Sequence, residues 1–172
     1  MKLKNEKLSK NFLIYGFGKS GISSLKYLKK KNRCFIFDDD KKKIKNEYKK
    51  FFISKSKLLN NNFDYIVISP GININRCQLS NYLKKNQKKV ITDFDIFYKF
   101  NPEVLTITIT GTNGKSTTSK LLYDILKKHH YDTRLTGNIG NPILEEKRVT
   151  KNTIFVIEAS SYQLAYSKYF KS

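Results

Sequence analysis

Short apolar runs recur along this chain, and most lead into a stretch with helical periodicity. Phe12 to Tyr15 (FLIY), Cys34 to Phe37 (CFIF), Tyr65 to Ser69 (YIVIS) and Val90 to Thr92 (VIT) read as strands. Ile22, Leu25 and Leu28 line one face of a helix from about Ser20. Ile44, Tyr48 and Phe51 do the same for a lysine-rich helix, and Leu79 and Leu83 anchor another. Strands that are apolar throughout are buried on both faces, and helices placed between them supply the cover. The fold class is therefore α/β, with a Rossmann-like, mainly parallel sheet. Asp93 is expected to cap a short helix carrying Phe94 and Phe97. Asn101-Pro102 then breaks the pattern, so residues 1–100 and 101–172 read as separate domains.

The second part starts afresh with a strand at Val104 to Thr110 (VLTITIT). A helix from Lys115 follows, expected to bury Thr118, Leu121, Leu122, Ile125 and Leu126. TRLTG is a short strand, NPILEEKRVTKN is mostly loop, TIFVIEA (Thr153 to Ala159) is a strongly apolar strand, and SYQLAYSKYF starts a helix. So few strands leave an edge and an apolar face uncovered, and the second domain is expected to be incomplete in this sequence.

Composition narrows the partners. A 172-residue chain with 39% hydrophobic and 13% aromatic residues can build a core. The net charge of +20 suggests a nucleic-acid binder, but the only arginines are Arg33, Arg76, Arg134 and Arg148. Arginine is the usual reader of phosphates and bases, whereas here lysines are spread evenly among Asn, Ile, Phe and Tyr, as an AT-rich genome would produce. No nucleic-acid partner is expected. Cys34 and Cys77 lie far apart without metal-site spacing, which points to free thiols in a reducing compartment. No apolar run reaches membrane-span length, and the basic MKLKNEKLSKN start lacks a signal-peptide core. A cytoplasmic protein with no membrane partner is expected.

Two glycine loops carry the chemistry. GFGKSG places Gly16, Gly18 and Gly21 between a strand and a helix, and Asp38 ends the next strand. That arrangement lets backbone N–H groups and a helix N-terminus approach a diphosphate, with the carboxylate free to accept from a ribose. An NAD site and a close-packed structural turn both fit it, and the loop does not specify the nucleotide. Of the three consecutive aspartates Asp38 is best placed to face the crevice. GTNGKST (Gly111, Thr112, Asn113, Gly114, Lys115, Ser116, Thr117) also lies between strand and helix. Only Thr112 and Asn113 separate its glycines, a contraction of the standard phosphate loop. Lys115 can neutralise outer phosphates, Ser116 can offer its hydroxyl to Mg²⁺, and Glu158, closing the last apolar strand, is the matching hard ligand. ATP and Mg²⁺ are the expected cofactors, with Lys115 and Glu158 in the catalytic roles.

ITGTNGKSTT resembles the ATP loop of the Mur ligases and their folylpolyglutamate synthetase relatives. TGNIGNP, IEASSYQLA, ISPGI and ITDFDIF, together with GFGKSG, follow in family order over nearly the whole chain. The likeness is sharpest to the branch that adds D-glutamate to UDP-N-acetylmuramoyl-L-alanine in peptidoglycan synthesis. It implies a substrate carboxylate attacking the γ-phosphate of ATP to give an acyl phosphate, which the amine of D-glutamate then converts to an amide. It implies that residues 1–100 hold the UDP moiety rather than NAD, through Lys19, Ser20, Asp38, Asp39 and Gly71. Residues 101–172 begin the ATP-binding domain, in which Asn138 contacts the UDP-sugar. Ser160 and Gln163 would support Glu158, and Ala159 and Ala165 depart from the usual Leu and Glu. A monomer is implied. The family's other metal-binding residues would lie beyond Ser172, so a fragment inactive by itself is expected. A UDP-sugar-binding remnant without catalysis and an NAD-binding Rossmann module remain the alternatives.

Overall fold

A computed structural model describes residues 9–170. Met1–Leu8, with most of the basic N-terminal stretch, and Lys171–Ser172 lie outside the described residues. The chain divides into two compact units, Met1–Val90 and Ile91–Ser172.

In the first unit strand β1 (Asn11–Tyr15) leads into helix α1 (Lys19–Leu28) and strand β2 (Arg33–Phe37). Helix α2 (Lys55–Leu59), strand β3 (Tyr65–Ile68), helix α3 (Ser80–Lys85) and the short strand β4 (Val90–Ile91) follow. The sheet order is β2-β1-β3-β4. β1 is parallel to both neighbours, with Leu13 in register with Phe35 on one side and Ile66 on the other. Leu13, Ile14, Ile36 and Ile66 are fully buried, as their unbroken apolar runs require. After β1 the chain runs first to β2 and then back across to β3. The order therefore reverses beside β1, the place where open α/β sheets form a ligand crevice at the strands' C-terminal ends.

The lysine-rich helix expected after β2 is instead two 3₁₀ turns, Lys41–Lys43 and Asn46–Phe51. Ile44 between them is extended (φ −88°, ψ 98°), and Asp40 caps the first turn by accepting from the Lys42 N–H. One continuous helix would set Lys41, Lys45 and Lys49 at like-charged i,i+4 spacing, which disfavours it. The apolar positions keep their purpose: Ile44 is buried, and Tyr48 meets Phe17 edge-on at 5.0 Å.

The second unit holds helix α4 (Asp93–Phe100), strand β5 (Leu105–Ile109), helix α5 (Lys115–Lys128), strand β6 (Thr133–Gly137), strand β7 (Ile154–Glu158) and helix α6 (Ser161–Tyr166). Its sheet is parallel with β7 in the centre, in the order β5-β7-β6. Phe155, Val156 and Ile157 are fully buried there. Thr92, rather than Asp93, caps α4, in a capping box with Asp95. Phe97 packs on Phe155 with centroids 4.7 Å apart, and Phe94 on Phe170 at 5.2 Å. These contacts place α4 in the second unit, so the division falls at Val90/Ile91 rather than at residue 100. Asn101-Pro102 marks only the end of that helix, where the Asn101 N–H donates to Phe97 O and Tyr98 O.

The apolar face of α5 departs from expectation. Ser119 is its buried residue, Leu122 and Leu126 are half-buried, and Thr118, Leu121 and Ile125 are exposed. A three-stranded sheet is too narrow to cover a 14-residue helix along its whole apolar stripe. Leu105, on edge strand β5, is exposed for the same reason.

Candidate functional site

In the first unit the glycine loop is pinned on several sides. The Gly16 N–H donates to Phe37 O at 2.9 Å, and the Ser69 hydroxyl donates to Gly16 O at 2.6 Å. The Phe17 N–H donates to Asp38 Oδ2 at 2.6 Å. These bonds join the ends of β1, β2 and β3, the elements that border the switch point. Gly21 has to be glycine, because a Cβ there would lie 2.1 Å from Gly16 O. Gly18 precedes α1 and has open space around it, which leaves the start of the helix approachable by an anion. Lys19 and Ser20 form the first turn of α1, exposed and half-buried respectively. Gly71 is exposed in the turn after β3, where the Ile72 N–H donates to Ser69 O.

Asp38 departs from the role expected of it. It is buried, and both its oxygens are occupied by backbone donors: Oδ2 by Phe17 N–H and Oδ1 by Asp40 N–H at 2.8 Å. It therefore ties the glycine loop to the turn after β2. Asp39 is the exposed carboxylate, and it accepts from the Tyr15 hydroxyl at 2.6 Å. Burial first, then the bond to Asp39, then the Cys77 thiol push the Tyr15 phenol far above its ordinary range, so it remains a donor. A cavity of about 500 Å³ opens beside these groups, lined in part by Asp38, Asp39, Lys42, Lys55 and Gln78. Tyr15 and Gln78 escaped the sequence reading. Tyr15 looked like core, and its polar tip at the last position of a strand before a glycine loop was the available signal.

In the second unit β5 runs through an exposed loop, Thr110 to Gly114, into α5. Gly114 adopts φ 75° and ψ −5° at the N-cap, a left-handed conformation natural to glycine. Gly111, Thr112, Asn113, Ser116 and Thr117 are exposed. The Lys115 ammonium folds back over the loop, donating to Gly111 O at 2.6 Å and Thr112 O at 3.2 Å. A helix N-terminus, an exposed glycine loop and an ammonium folded over it make a surface that phosphate oxygens can approach.

Glu158 closes β7 in register with Ile109 of β5 and Gly137 of β6. It is only 4% exposed, and its Oε2 has no hydrogen-bond partner among the described residues. A buried carboxylate oxygen without a donor is costly unless a cation or water meets it. No group of three or more His, Cys, Asp or Glu side chains gathers among the described residues. Mg²⁺ keeps several waters and takes phosphate oxygens, so one carboxylate and the Ser116 hydroxyl fit its needs. Gly137 has φ +104°, and a Cβ there would lie 2.1 Å from Glu158 O. The Asn138 N–H donates to that same carbonyl at 2.9 Å, with its exposed residue just beyond the strand end. Ser160 and Gln163 form the capping box that starts α6. The Nε2 of buried Gln163 has no partner among the described residues.

Residues 109–171 match the Mur ligase middle domain. A UDP-N-acetylmuramoylalanine–D-glutamate ligase of Caldicellulosiruptor bescii is 36% identical, aligned over 94% of this chain and 38% of its own length. The enzyme of that name from Rickettsia bellii is 34% identical, over 93% of this chain and 36% of its own. The chain thus spans under two-fifths of the length of these relatives. In fold it is similar to the crystal structure of the UDP-N-acetylmuramate:L-alanyl-γ-D-glutamyl-meso-diaminopimelate ligase of Neisseria meningitides. That likeness has a TM-score of 0.50 and 13% identity, and covers 90% of this chain and 55% of that one. No helix among the described residues is long and apolar enough to cross a membrane. Relatives named as D-glutamate ligases thus align along more than nine-tenths of this chain, and the Mur ligase middle-domain match takes in the Gly111–Thr117 loop and Glu158.

Proposed function

We propose that the whole protein is the ATP-dependent ligase that joins D-glutamate to UDP-N-acetylmuramoyl-L-alanine in cytoplasmic peptidoglycan synthesis. Residues up to about 90 supply the UDP-sugar site, and the rest of the chain begins the ATP site. The observation that carries this reading is the buried Glu158 carboxylate, whose Oε2 has no partner among the described residues, in register with the end of the strand that feeds the Lys115 loop. Phosphoryl transfer asks a protein chiefly for position and charge neutralisation. Here the Gly111–Thr117 backbone would seat the phosphates, and Lys115 would leave its loop carbonyls for the phosphate oxygens. Ser116 and Glu158 would hold Mg²⁺, which when bound screens the charge on the phosphates. The substrate carboxylate attacks the γ-phosphorus, ADP leaves, and the D-glutamate amine then displaces phosphate from the acyl carbon with loss of a proton. Asn138 would contact the UDP-sugar, and Lys19, Ser20, Asp39 and Gly71 would line the uridine diphosphate site.

Calorimetric titration of the chain with UDP, NAD and Mg-ATP tests this. Binding of UDP and Mg-ATP without a response to NAD is expected. Tight NAD binding in place of UDP would overturn the reading and favour a dehydrogenase-type module.

A further inference from the structure

We propose that Tyr15 and Gln78 are positioning residues that hold Asp39 as the carboxylate reading the nucleoside part of a UDP ligand. The inference rests on the UDP site proposed above. In open α/β folds a carboxylate at the end of the second strand accepts from the bound nucleoside. Asp38 holds that place in this chain, and each of its oxygens already accepts one backbone N–H, from the glycine loop and from the following turn. Its removal would loosen the loop whatever else it did to a ligand.

Asp39, one residue further on, is the more exposed acceptor. Two chain segments converge on it. Tyr15 reaches it from the end of β1, fully buried up to its hydroxyl, which donates at 2.6 Å to Oδ1. Gln78 brackets it from the segment before α3: its backbone N–H lies 3.4 Å from Oδ2, and its Nε2 lies 3.4 Å from Asp39 O. A ring locked in the core has no rotamer freedom to lose, so its hydroxyl fixes the carboxylate torsion before a ligand arrives. Oδ2, met only by a long contact, keeps lone pairs available for an incoming N–H or O–H donor. The cavity beside it holds about 500 Å³, and on its wall Lys41, Lys42 and Lys55 balance the three aspartates.

The test is a double-mutant cycle on the 172-residue chain, with UDP as the titrant and the thermal midpoint followed in parallel. Asp39→Ala is expected to weaken UDP binding roughly tenfold, the loss of one charge-assisted hydrogen bond. Tyr15→Phe keeps the ring in the core and is expected to weaken it about threefold to tenfold, with Gln78→Ala smaller and in the same direction. In the Asp39→Ala background, Tyr15→Phe should change UDP affinity no further, because its effect passes through the missing carboxylate. Additive losses would show a merely structural role for Tyr15 and overturn the inference. So would an Asp39→Ala chain that binds UDP as the wild type does. A wild-type chain that does not bind UDP would instead overturn the ligand reading itself, and with it this inference.

Discussion

Asp95→Ala should destabilise the second unit more than most substitutions elsewhere. Asp95 is 1% exposed, and its Oδ1 accepts from the consecutive N–H groups of Lys168, Tyr169 and Phe170 at 2.8, 2.7 and 3.1 Å. Its Oδ2 accepts from the N–H and hydroxyl of buried Thr92 at 2.9 and 3.2 Å. One carboxylate thus fastens the chain after α6 to the start of α4, and a Thr92–Ser167 hydroxyl bond of 2.7 Å reinforces the joint. On truncation the exposed 168–169 N–H groups recover water, whereas the buried Thr92 N–H does not. Orphaning that donor and losing several charge-assisted bonds sums to about 3–5 kcal/mol. Against a typical stability of about 5–15 kcal/mol this is a large share. It corresponds to a fall of roughly 12 °C or more for a unit of this size. Asp95→Asn separates the clasp from simple packing. An amide keeps one acceptor and turns an NH₂ toward donors, so it should recover less than half of the loss. Calorimetry, with proteolysis near residues 167–170, reads both variants. A fall of under about 4 °C for Asp95→Ala, or a wild-type midpoint for Asp95→Asn, would refute the clasp.

Gly137→Ala combines φ +104° with a backbone clash at Glu158 O, so the backbone angle costs about 1–3 kcal/mol before the clash is added; Mg-ATP titration beside a thermal melt should show both stability and nucleotide affinity falling. The Thr153 hydroxyl first, and the Arg134 guanidinium second, hold the exposed Asp132 carboxyl below its ordinary 3.8. A depressed carboxylate contributes stability that is present above its unfolded pKa and lost as pH falls through its lower folded value. Thr153→Val should therefore flatten the acid limb of a stability–pH curve below about pH 4 and leave the neutral limb's slope unchanged. Burial raises the Cys34 thiol to about 11, with Lys29 opposing only in part, so iodoacetamide at pH 8 should spare Cys34 until the chain is unfolded, as peptide mapping would show.

The strands were legible because burial on both faces writes itself as unbroken apolar runs: FLIY, YIVI and IFVIE became interior strands, and CFIF became edge strand β2, whose Ile36 is bridged by Phe52. The placement of the Gly111–Thr117 loop between strand and helix, and of Glu158 at a buried strand end, was legible for a related reason: a lone acid ends an apolar run there. What escaped depends on partners distant in sequence. Helical periodicity gives α5 an apolar stripe but cannot count the strands beneath it, so the exposure of Leu121 and Ile125 was invisible. The 3₁₀ turns after β2 reflect lysine repulsion that apolar spacing ignores. Asp38 was expected to face the crevice, and its ties to the Phe17 and Asp40 N–H groups, like the Tyr15 hydroxyl on Asp39, could not be read from strand ends alone.

The two glycine loops are built to different ends, and the difference explains their contrasting sequences. In the first, glycine is demanded by packing: Gly21 lies against the Gly16 carbonyl, which Ser69 also holds, and Asp38 fixes the Phe17 N–H between them. So many internal bonds make a rigid floor, suited to a moiety that is gripped and not altered, and recognition falls to a side chain above it, Asp39. In the second, a Cβ on Gly114 would meet no atom within 4 Å; glycine is needed there for its backbone angle alone. That loop stays exposed, with its lysine resting on its own carbonyls. An exposed loop whose cation can exchange one set of oxygens for another is suited to phosphates that must be bound, transferred and released.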